Sequence, residues 1–209
     1  MIIRIFRGHV DADRGAEFLA WARDFAIPHV ASSSGLHELM VGSRDEARTM
    51  HALIASAWAD LEAERSALGG LGTRAPALSL PEWVTADSAD HFEAVGDVLR
   101  PLAEPVGTRL RVLQLLLRPN VSAVFFDRVR AQQAELRQSG ELVSALIGRR
   151  TVGSRDEYTS VAMWRDDAAL ERATGGAPDR PVGWESLAEW AESYATTTYD
   201  AVGTALTRA

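Results

Sequence analysis

The sequence carries one structural plan twice, and this repeat limits most strongly how the chain can fold. Residues 42–58 read GSRDEARTMHALIASAW, and residues 148–164 read GRRTVGSRDEYTSVAMW. Both segments open on a Gly- and Arg-containing turn, continue as a β-type segment and end on tryptophan, at Trp58 and Trp164. They match without a gap, whereas the identical string VGSRDE at 41–46 and 152–157 is out of register with them. A repeat this long indicates a duplicated domain and not a solenoid.

The first half predicts the order β-α-β-β-α-β, the split ferredoxin-like motif. Apolar periodicity, caps and turn residues delimit the elements. The predicted strands are 2–9, 36–41, 50–58 and 91–95. The predicted helices are 14–26, with Phe18, Trp21, Ala22 and Phe25 on one face, then 60–68 and a helical turn at 79–83. Pro28 ends or kinks the first helix, and residues 42–48 form the turn of a hairpin.

The second half restarts the same order after a Pro- and Gly-containing linker. The predicted strands are 109–117, 142–147, 158–164 and 196–202. The predicted helices are 120–138, with Val124, Phe125, Val129 and Leu136 on one face, then 166–173 and one within 181–192. Gly140 corresponds to Gly35. The sequence therefore predicts an N-terminal repeat at 1–99, a linker at 100–107 and a C-terminal repeat at 108–209.

The predicted sheets also determine the fold class. A four-stranded antiparallel sheet with both helices on one face leaves its other face bare. The sheet of the other half is the natural cover, as in a homodimer. We therefore predict an α+β fold, in which two tandem ferredoxin-like repeats pack sheet to sheet as a pseudo-dimeric α/β barrel. The duplication permits a monomer with an internal pseudo-dimer, or a further homodimer.

Composition excludes several kinds of chemistry. The net charge of −7 argues against nucleic acid or an anionic membrane as partner. The chain has no cysteine, which removes disulfides and thiol nucleophiles. All 22 basic residues are arginine, which excludes Schiff-base lysines. No apolar run is long enough to span a bilayer, and the N-terminus becomes charged too early for a signal peptide. We expect a cytoplasmic protein.

The segment 35–68, with GLHELMVGSRDE and HALIASAWADLEAERSAL, resembles the antibiotic-biosynthesis-monooxygenase family of the dimeric α/β-barrel superfamily. In that family the third strand ends in an aromatic-Glu-x-Trp pattern, followed by an acidic turn and an Ala-Leu helix. Trp58 with Asp60, and Trp164 with Asp166, fit the tryptophan and the turn, whereas the aromatic residue and the glutamate before the tryptophan are missing from both copies. The resemblance implies cofactor-independent oxygenation of an electron-rich aromatic molecule, which is deprotonated in an apolar cleft and then reacts directly with O2.

Two residues of the family's catalytic pattern are absent. Its frequent histidine, about nine residues past the tryptophan, falls near Ala67 and Ala173. Haem-degrading relatives use a first-strand asparagine, whereas Asn120 follows the strand. Haem binding is therefore the weaker third option, after an oxygenase without cofactor and a non-catalytic module that binds a small ligand or a protein partner.

Candidate acid–base residues lie in the first half, which holds all five histidines. His37 lies on the second strand, where strict alternation gives it the face of Leu39 and Val41. His51 lies on the third strand, on the face opposite to Trp58. Since an imidazole suits proton abstraction near neutral pH, His37 or His51 is the predicted general base. Metal-ligand spacing does not occur, so we expect no metal and no cofactor.

Aromatic residues and one arginine complete the predicted site. Trp58, Trp21 and Trp164 are candidates for the walls of a pocket that stacks on a small aromatic ligand. Arg4, on the first strand, is the candidate anchor for a phenolate or carboxylate. Core packing for the tryptophans and solvent exposure for the arginine are the simpler alternatives.

Overall fold

A computed structural model describes residues 1–68, 80–96, 107–138, 140–177, 180 and 187–206, without the side chain of Arg137. The strands are β1 Ile2–Asp11, β2 Leu36–Glu46, β3 Thr49–Trp58, β4 Thr85–Ala94, β5 Arg109–Leu117, β6 Leu142–Val152, β7 Arg155–Trp164 and β8 Ala191–Leu206. The α-helices are α1 Gly15–Trp21, α2 Ile27–Ala31, α3 Leu61–Leu68, α4 Ser122–Gln138 and α5 Asp167–Thr174.

The strands are hydrogen-bonded in the closed order β1-β3-β2-β8-β5-β7-β6-β4. The pairs β1–β3, β2–β3 and β2–β8 are antiparallel, as are β5–β7, β6–β7 and β4–β6. This topology confirms the predicted α+β class of tandem ferredoxin-like repeats. The chain divides into two compact units, Met1–His91 with Tyr199–Ala209 (unit 1) and Phe92–Thr198 (unit 2).

Unit 1 has an apolar core against the face of its sheet that carries Trp58. Phe18, Ala22, Ala26 and Val30 contribute the helical side of this core. Leu36, Leu39, Val41, Met50, Ala52 and Trp58 contribute the strand side. Asp60 precedes helix α3 as its N-cap: its Oδ1 accepts a hydrogen bond of 2.8 Å from the backbone N–H of Ala63, so an orphan donor of the first turn is satisfied.

Unit 2 repeats this arrangement with α4 against the sheet. One core cluster contains Leu115, Leu117, Phe125, Phe126, Val129, Ile147 and Tyr158. A second contains Leu142, Ala145, Trp164 and Leu170. Helix α5 ends as predicted at Gly175, where φ is +65°; glycine adopts this left-handed conformation without a Cβ penalty.

The register of the two hairpins bears out the duplication. Trp58 lies opposite Leu36, and Trp164 lies opposite Leu142. Each hairpin then has a β-bulge at the next step, between Leu36 and Glu38 and between Leu142 and Ser144. VGSRDE lies in strand β2 in its first occurrence and across the β6–β7 turn in its second, so this repeat is coincidental.

The first helix differs from the prediction at its end and in its buried face. It does not end near residue 26, because a π-helical turn at Ala22–Ala26 leads into α2, with Pro28 in the first turn of α2. The wider turn accommodates a proline that lacks the usual N–H. It also changes the spacing of the buried face from three or four residues to four, so Phe25 is exposed although the periodicity predicts it buried.

Three further predictions are wrong in detail. Strand β2 continues to Glu46, so the hairpin turn is shorter than residues 42–48 and includes Ala47 with φ +52°. In α4, Val124 is exposed and Phe126 is buried instead. Residues 187–189 form a 3-10 turn, and β8 begins at Ala191, earlier than the predicted 196. The predicted cap at residue 79 and the helix at 181–186 lie outside the described residues.

Candidate functional site

Each unit contains a small cavity between its helices and its sheet. The cavity of unit 1 has a volume of about 30 Å³ and is lined by Arg4, Phe6, Val30, Leu39, Ile54, Ser56, Trp58, Leu68 and Leu80. The cavity of unit 2 has a volume of about 60 Å³, and Arg111, Leu113, Phe125, Val129, Tyr158, Ser160, Ala162 and Trp164 are among its lining residues. A cavity needs roughly 10–15 Å³ by this measure for one water, so the unit 1 cavity has room for about two waters.

Arg4, which lines the unit 1 cavity, forms a buried ion pair with Glu64 on α3. Arg4 Nε lies 3.3 Å from Glu64 Oε1, and the two side chains are only 8% and 7% exposed. Burial lowers the pKa of Arg4, and the charge of Glu64 opposes that shift. The guanidinium stays protonated, because arginine does not lose its proton in proteins. This contact is made by Nε, and the guanidinium carbon lies 5.5 Å from the centroid of the Phe6 ring.

His91 connects the ion pair to solvent. Its Nε2 lies 2.8 Å and 2.9 Å from the two carboxylate oxygens of Glu64, and its side chain is 39% exposed. Glu64 is therefore held from two sides, by Arg4 on β1 and by His91 on β4. The sequence contains a signal for Glu64: it lies on the same helical face as Leu61 and Leu68, at spacings of three and four. Glu64 is not among the predicted site residues, because a glutamate on a helix is almost always exposed unless it is paired.

Trp58 also lines the unit 1 cavity. The indole is fully buried, and its Nε1 donates a hydrogen bond of 2.9 Å to Ser56 Oγ. Residues Ile54, Ser56 and Trp58 alternate along β3 and face the same cavity. The structure therefore brings Arg4 and Trp58, two of the predicted site residues, to one cavity.

Neither predicted base is among the described residues that line a cavity. His37 lies at the β-bulge of β2, and Leu36 joins Leu39 in the core instead. Strict alternation places His37 on the face of Leu39 and Val41 only in a strand without a bulge. His51 lies on the opposite face of β3 from Trp58; its Nε2 is 3.4 Å from Glu46 and its ring centroid is 6.4 Å from that of His9. The base role of His37 and His51 stays a prediction.

The remaining aromatic candidates lie in different places. Trp21 is partly buried, packs against the unit 1 core and lies 5.7 Å from Phe18 between ring centroids. It does not belong to the described lining of the unit 1 cavity. Trp164 lines the cavity of unit 2. The predicted set is thus divided among two cavities and a core position.

The unit 2 cavity has polar groups of another kind. Arg111, the counterpart of Arg4, is buried, and its guanidinium donates a hydrogen bond to the backbone oxygen of Arg180. Burial raises the pKa of Tyr158, although a hydrogen bond with Ser160 opposes the shift. Among the described lining residues of this cavity there is no histidine, aspartate or glutamate. The walls can therefore hold a ligand by hydrogen bonds, but they carry no evident base.

The described part of the chain contains no group of three or more histidine, aspartate or glutamate side chains placed to hold a metal ion. Nor does any helix in that part combine the length and apolar character needed to cross a membrane.

Comparison with solved structures finds similar folds at low sequence identity. A proposed monooxygenase of Fusobacterium nucleatum has a TM-score of 0.75 and 9% identity, over 99% of this chain and 94% of that one. A proposed monooxygenase of Lactobacillus acidophilus has a TM-score of 0.70 and 13% identity, over 98% and 96%. An anthrone oxidase-like protein has a TM-score of 0.59 and 15% identity, over 98% and 92%.

No protein-family model matches the sequence, and no curated protein matches it either. The structural likenesses confirm the fold that the resemblance to the monooxygenase family implies. Fold alone does not fix function, so activity has to be argued from the side chains of the two cavities.

Proposed function

We propose that the protein is a cofactor-independent monooxygenase that acts on a small electron-rich aromatic carbon acid, such as an anthrone, in the cavity of unit 1. The observation that carries this proposal is Arg4, a buried guanidinium in a mainly apolar wall next to Trp58. The names of the similar structures support it, since two are proposed monooxygenases and one is anthrone oxidase-like.

The reaction needs few groups from the protein. A base removes a proton from the acidic C–H of the substrate, and the resulting carbanion, delocalised as an enolate, transfers electrons to O2. A C–O bond forms, the O–O bond breaks, and one oxygen atom remains as the new carbonyl of the quinone while the other leaves as water. The protein has to stabilise the enolate, orient the ring and exclude solvent.

Each role has a candidate in unit 1. The terminal NH2 groups of Arg4 would bind the enolate oxygen, in a site of low dielectric where a charge is most effective. Trp58 would stack on the ring. Glu64 adjoins Arg4 and is held by His91, so it would accept the proton through one bridging water. Our proposal takes Glu64 as the base because it contacts Arg4, which lines the cavity, whereas neither His37 nor His51 is among the described lining residues. A base must first lie within reach of the proton that it removes.

The size of the cavity sets a condition on this proposal. A cavity of about 150 Å³ binds benzene, whereas that of unit 1 is about 30 Å³. An aromatic substrate therefore requires apolar side chains of the wall to move.

The test is oxygen uptake with anthrone by protein freed of metal and flavin. Arg4→Gln should lower the rate about a hundred-fold, the usual effect of removing one oxyanion donor. Arg7→Gln is the matched control: Arg7 is also on β1 but pairs with Asp90 at 3.2 Å, and its loss should leave the rate within about two-fold. A wild-type rate equal to that of buffer alone would refute the proposal.

The same assay separates the candidate bases. Glu64→Gln should lower the rate by a factor of at least about a hundred, whereas the double variant His37→Ala/His51→Ala should retain it. The reverse result would restore the histidines as bases and remove Glu64 from the mechanism.

A second candidate function is ligand binding without turnover. The small volumes of both cavities favour it, and so does the lack of a histidine nine residues beyond either tryptophan, at Ala67 and Ala173. Saturable binding of an aromatic ligand without oxygen uptake would support this function over the oxygenase.

A further inference from the structure

The indole of Trp164 presents a buried hydrogen-bond donor that none of the described residues satisfies. Trp164 is 2% exposed, and its Nε1 has no hydrogen-bond partner among the residues that the structure describes. Leaving such a donor unpaired costs roughly 1–3 kcal/mol, and buried polar groups in native proteins are nearly always paired. An unpaired indole N–H at the wall of a cavity therefore points to a bound acceptor.

The duplication shows what Trp164 lacks. In unit 1, Trp58 Nε1 donates to Ser56 Oγ at 2.9 Å. Ala162 occupies the position in unit 2 that Ser56 occupies in unit 1. Ser56 lies opposite Leu39 in the β2–β3 hairpin, and Ala162 lies opposite Ala145 in the β6–β7 hairpin. The methyl group of alanine cannot accept a hydrogen bond, so the acceptor built into unit 1 is missing from unit 2.

The missing acceptor coincides with a cavity. Ala145, Ala162 and Trp164 all line the cavity of unit 2, whose volume of about 60 Å³ is twice that of unit 1. By the measure of roughly 10–15 Å³ for each water, this cavity admits a ligand of about four to six non-hydrogen atoms. Leu113, Phe125 and Val129 give it largely apolar walls.

We propose that the cavity of unit 2 is a second ligand site, which binds a small neutral carbonyl compound whose oxygen accepts a hydrogen bond from Trp164 Nε1. A neutral carbonyl fits this cavity because the indole donor is uncharged and the cation among the described lining residues, Arg111, already donates a hydrogen bond to the backbone oxygen of Arg180. Next to the apolar part of the wall a charged ligand would be costly to bury. The described lining contains no carboxylate or imidazole, so the site binds its ligand without proton transfer. This site does not depend on the oxygenase activity proposed for unit 1.

The experiment follows the indole N–H signals of nitrogen-15-labelled protein by NMR, with Trp164→Phe to assign the Trp164 signal. Cyclopentanone is the probe, and methylenecyclopentane, in which CH2 replaces the oxygen, is its isostere without an acceptor. Cyclopentanone should move the Trp164 signal downfield in a saturable manner, because the N–H gains a hydrogen bond. Methylenecyclopentane should produce no downfield shift.

Ala162→Ser is the decisive variant, because it installs in unit 2 the acceptor that Ser56 supplies in unit 1. It should weaken cyclopentanone binding at least ten-fold and place the Trp164 signal downfield before any ligand is added. Ser56→Ala is the matched control, since it removes the acceptor in unit 1 and should leave the response of Trp164 unchanged.

Three results would overturn the proposal. The first is a Trp164 N–H signal that does not move at a high concentration of cyclopentanone. The second is an equal shift of this signal with cyclopentanone and with methylenecyclopentane. The third is a cross-peak between water and the Trp164 N–H that persists when cyclopentanone is present. The last result would mean that bound water alone satisfies the donor. The comparison of probes in the wild-type protein decides the matter even if Ala162→Ser does not fold.

Discussion

The ion pair between Arg4 and Glu64 gives a quantitative prediction that does not depend on activity. Both side chains are at most 8% exposed, so replacing one member leaves the other as a buried, uncompensated charge. Such a loss costs about 3–5 kcal/mol, whereas replacing both members with apolar residues of similar volume is often neutral. Since His91 still binds Glu64 when Arg4 is lost, we expect the lower end, about 3 kcal/mol, for Arg4→Met.

We expect Glu64→Leu to cost about 3 kcal/mol as well, and the double variant less than about 2 kcal/mol. Urea unfolding at neutral pH, followed by both tryptophan fluorescence and circular dichroism, measures these free energies. The pair Arg7–Asp90, at 3.2 Å and 21% and 22% exposed, is the control and should show single costs of about 1 kcal/mol. A double variant at Arg4 and Glu64 that costs the sum of its singles would refute the reasoning.

Three further predictions concern stability. Gly35→Ala should cost about 2 kcal/mol in urea unfolding, because φ is +81° there and the new Cβ would lie 2.6 Å from Ala63 Cβ; an unchanged midpoint would contradict this. Burial raises the pKa of Tyr158, so the stability that its neutral phenol contributes is complete below pH 10, about the pKa in the unfolded chain, and is lost as the pH rises further. Tyr158→Phe should therefore flatten the decline of the thermal midpoint at alkaline pH. A decline as steep as that of the wild type would count against this reasoning. The hydrogen bond from Arg109 lowers the pKa of Asp167, so the stability that the ionised carboxylate contributes is present above about 3.9, the pKa in the unfolded chain, and is lost as the pH falls. Asp167→Asn should therefore cost about 0.5 kcal/mol of unfolding free energy at neutral pH and nothing in strong acid. An equal cost at both pH values would contradict this assignment.

The sequence was informative wherever a local rule decides the structure. The repeat, the hairpins that end on Trp58 and Trp164, and the helix cap at Asp60 follow from periodicity and capping, and the structure confirms them. Gly35 and Gly140 occupy equivalent positions and both have positive φ. These features depend on neighbouring residues, which a single sequence displays.

The predictions failed where one extra residue changes the register. A π turn before Pro28 exposes Phe25, and a bulge after Leu36 displaces His37 from the face that strict alternation assigns to it. Neither irregularity has a reliable signature in a single sequence, because both arise when the packing of a whole element outweighs its local periodicity.

The candidate site was foreseen in part. Arg4 and Trp58 reach one cavity because alternation along β1 and β3 determines the face of each side chain. Glu64 reaches Arg4 from α3, and His91 reaches Glu64 from β4, over sequence separations that spacing rules do not cover. The difference between Ser56 and Ala162 is visible in the sequence, but its consequence appears only when the hydrogen bond of Trp58 is known.

The most direct test of the proposed activity is oxygen-18 incorporation from labelled O2 into the quinone formed from anthrone, by protein shown to lack metal and flavin. We expect one labelled oxygen atom in each product molecule, formed at a rate that Arg4→Gln lowers about a hundred-fold and that Arg7→Gln leaves within about two-fold. Quinone formed at the same rate by wild type, by Arg4→Gln and in buffer would contradict it.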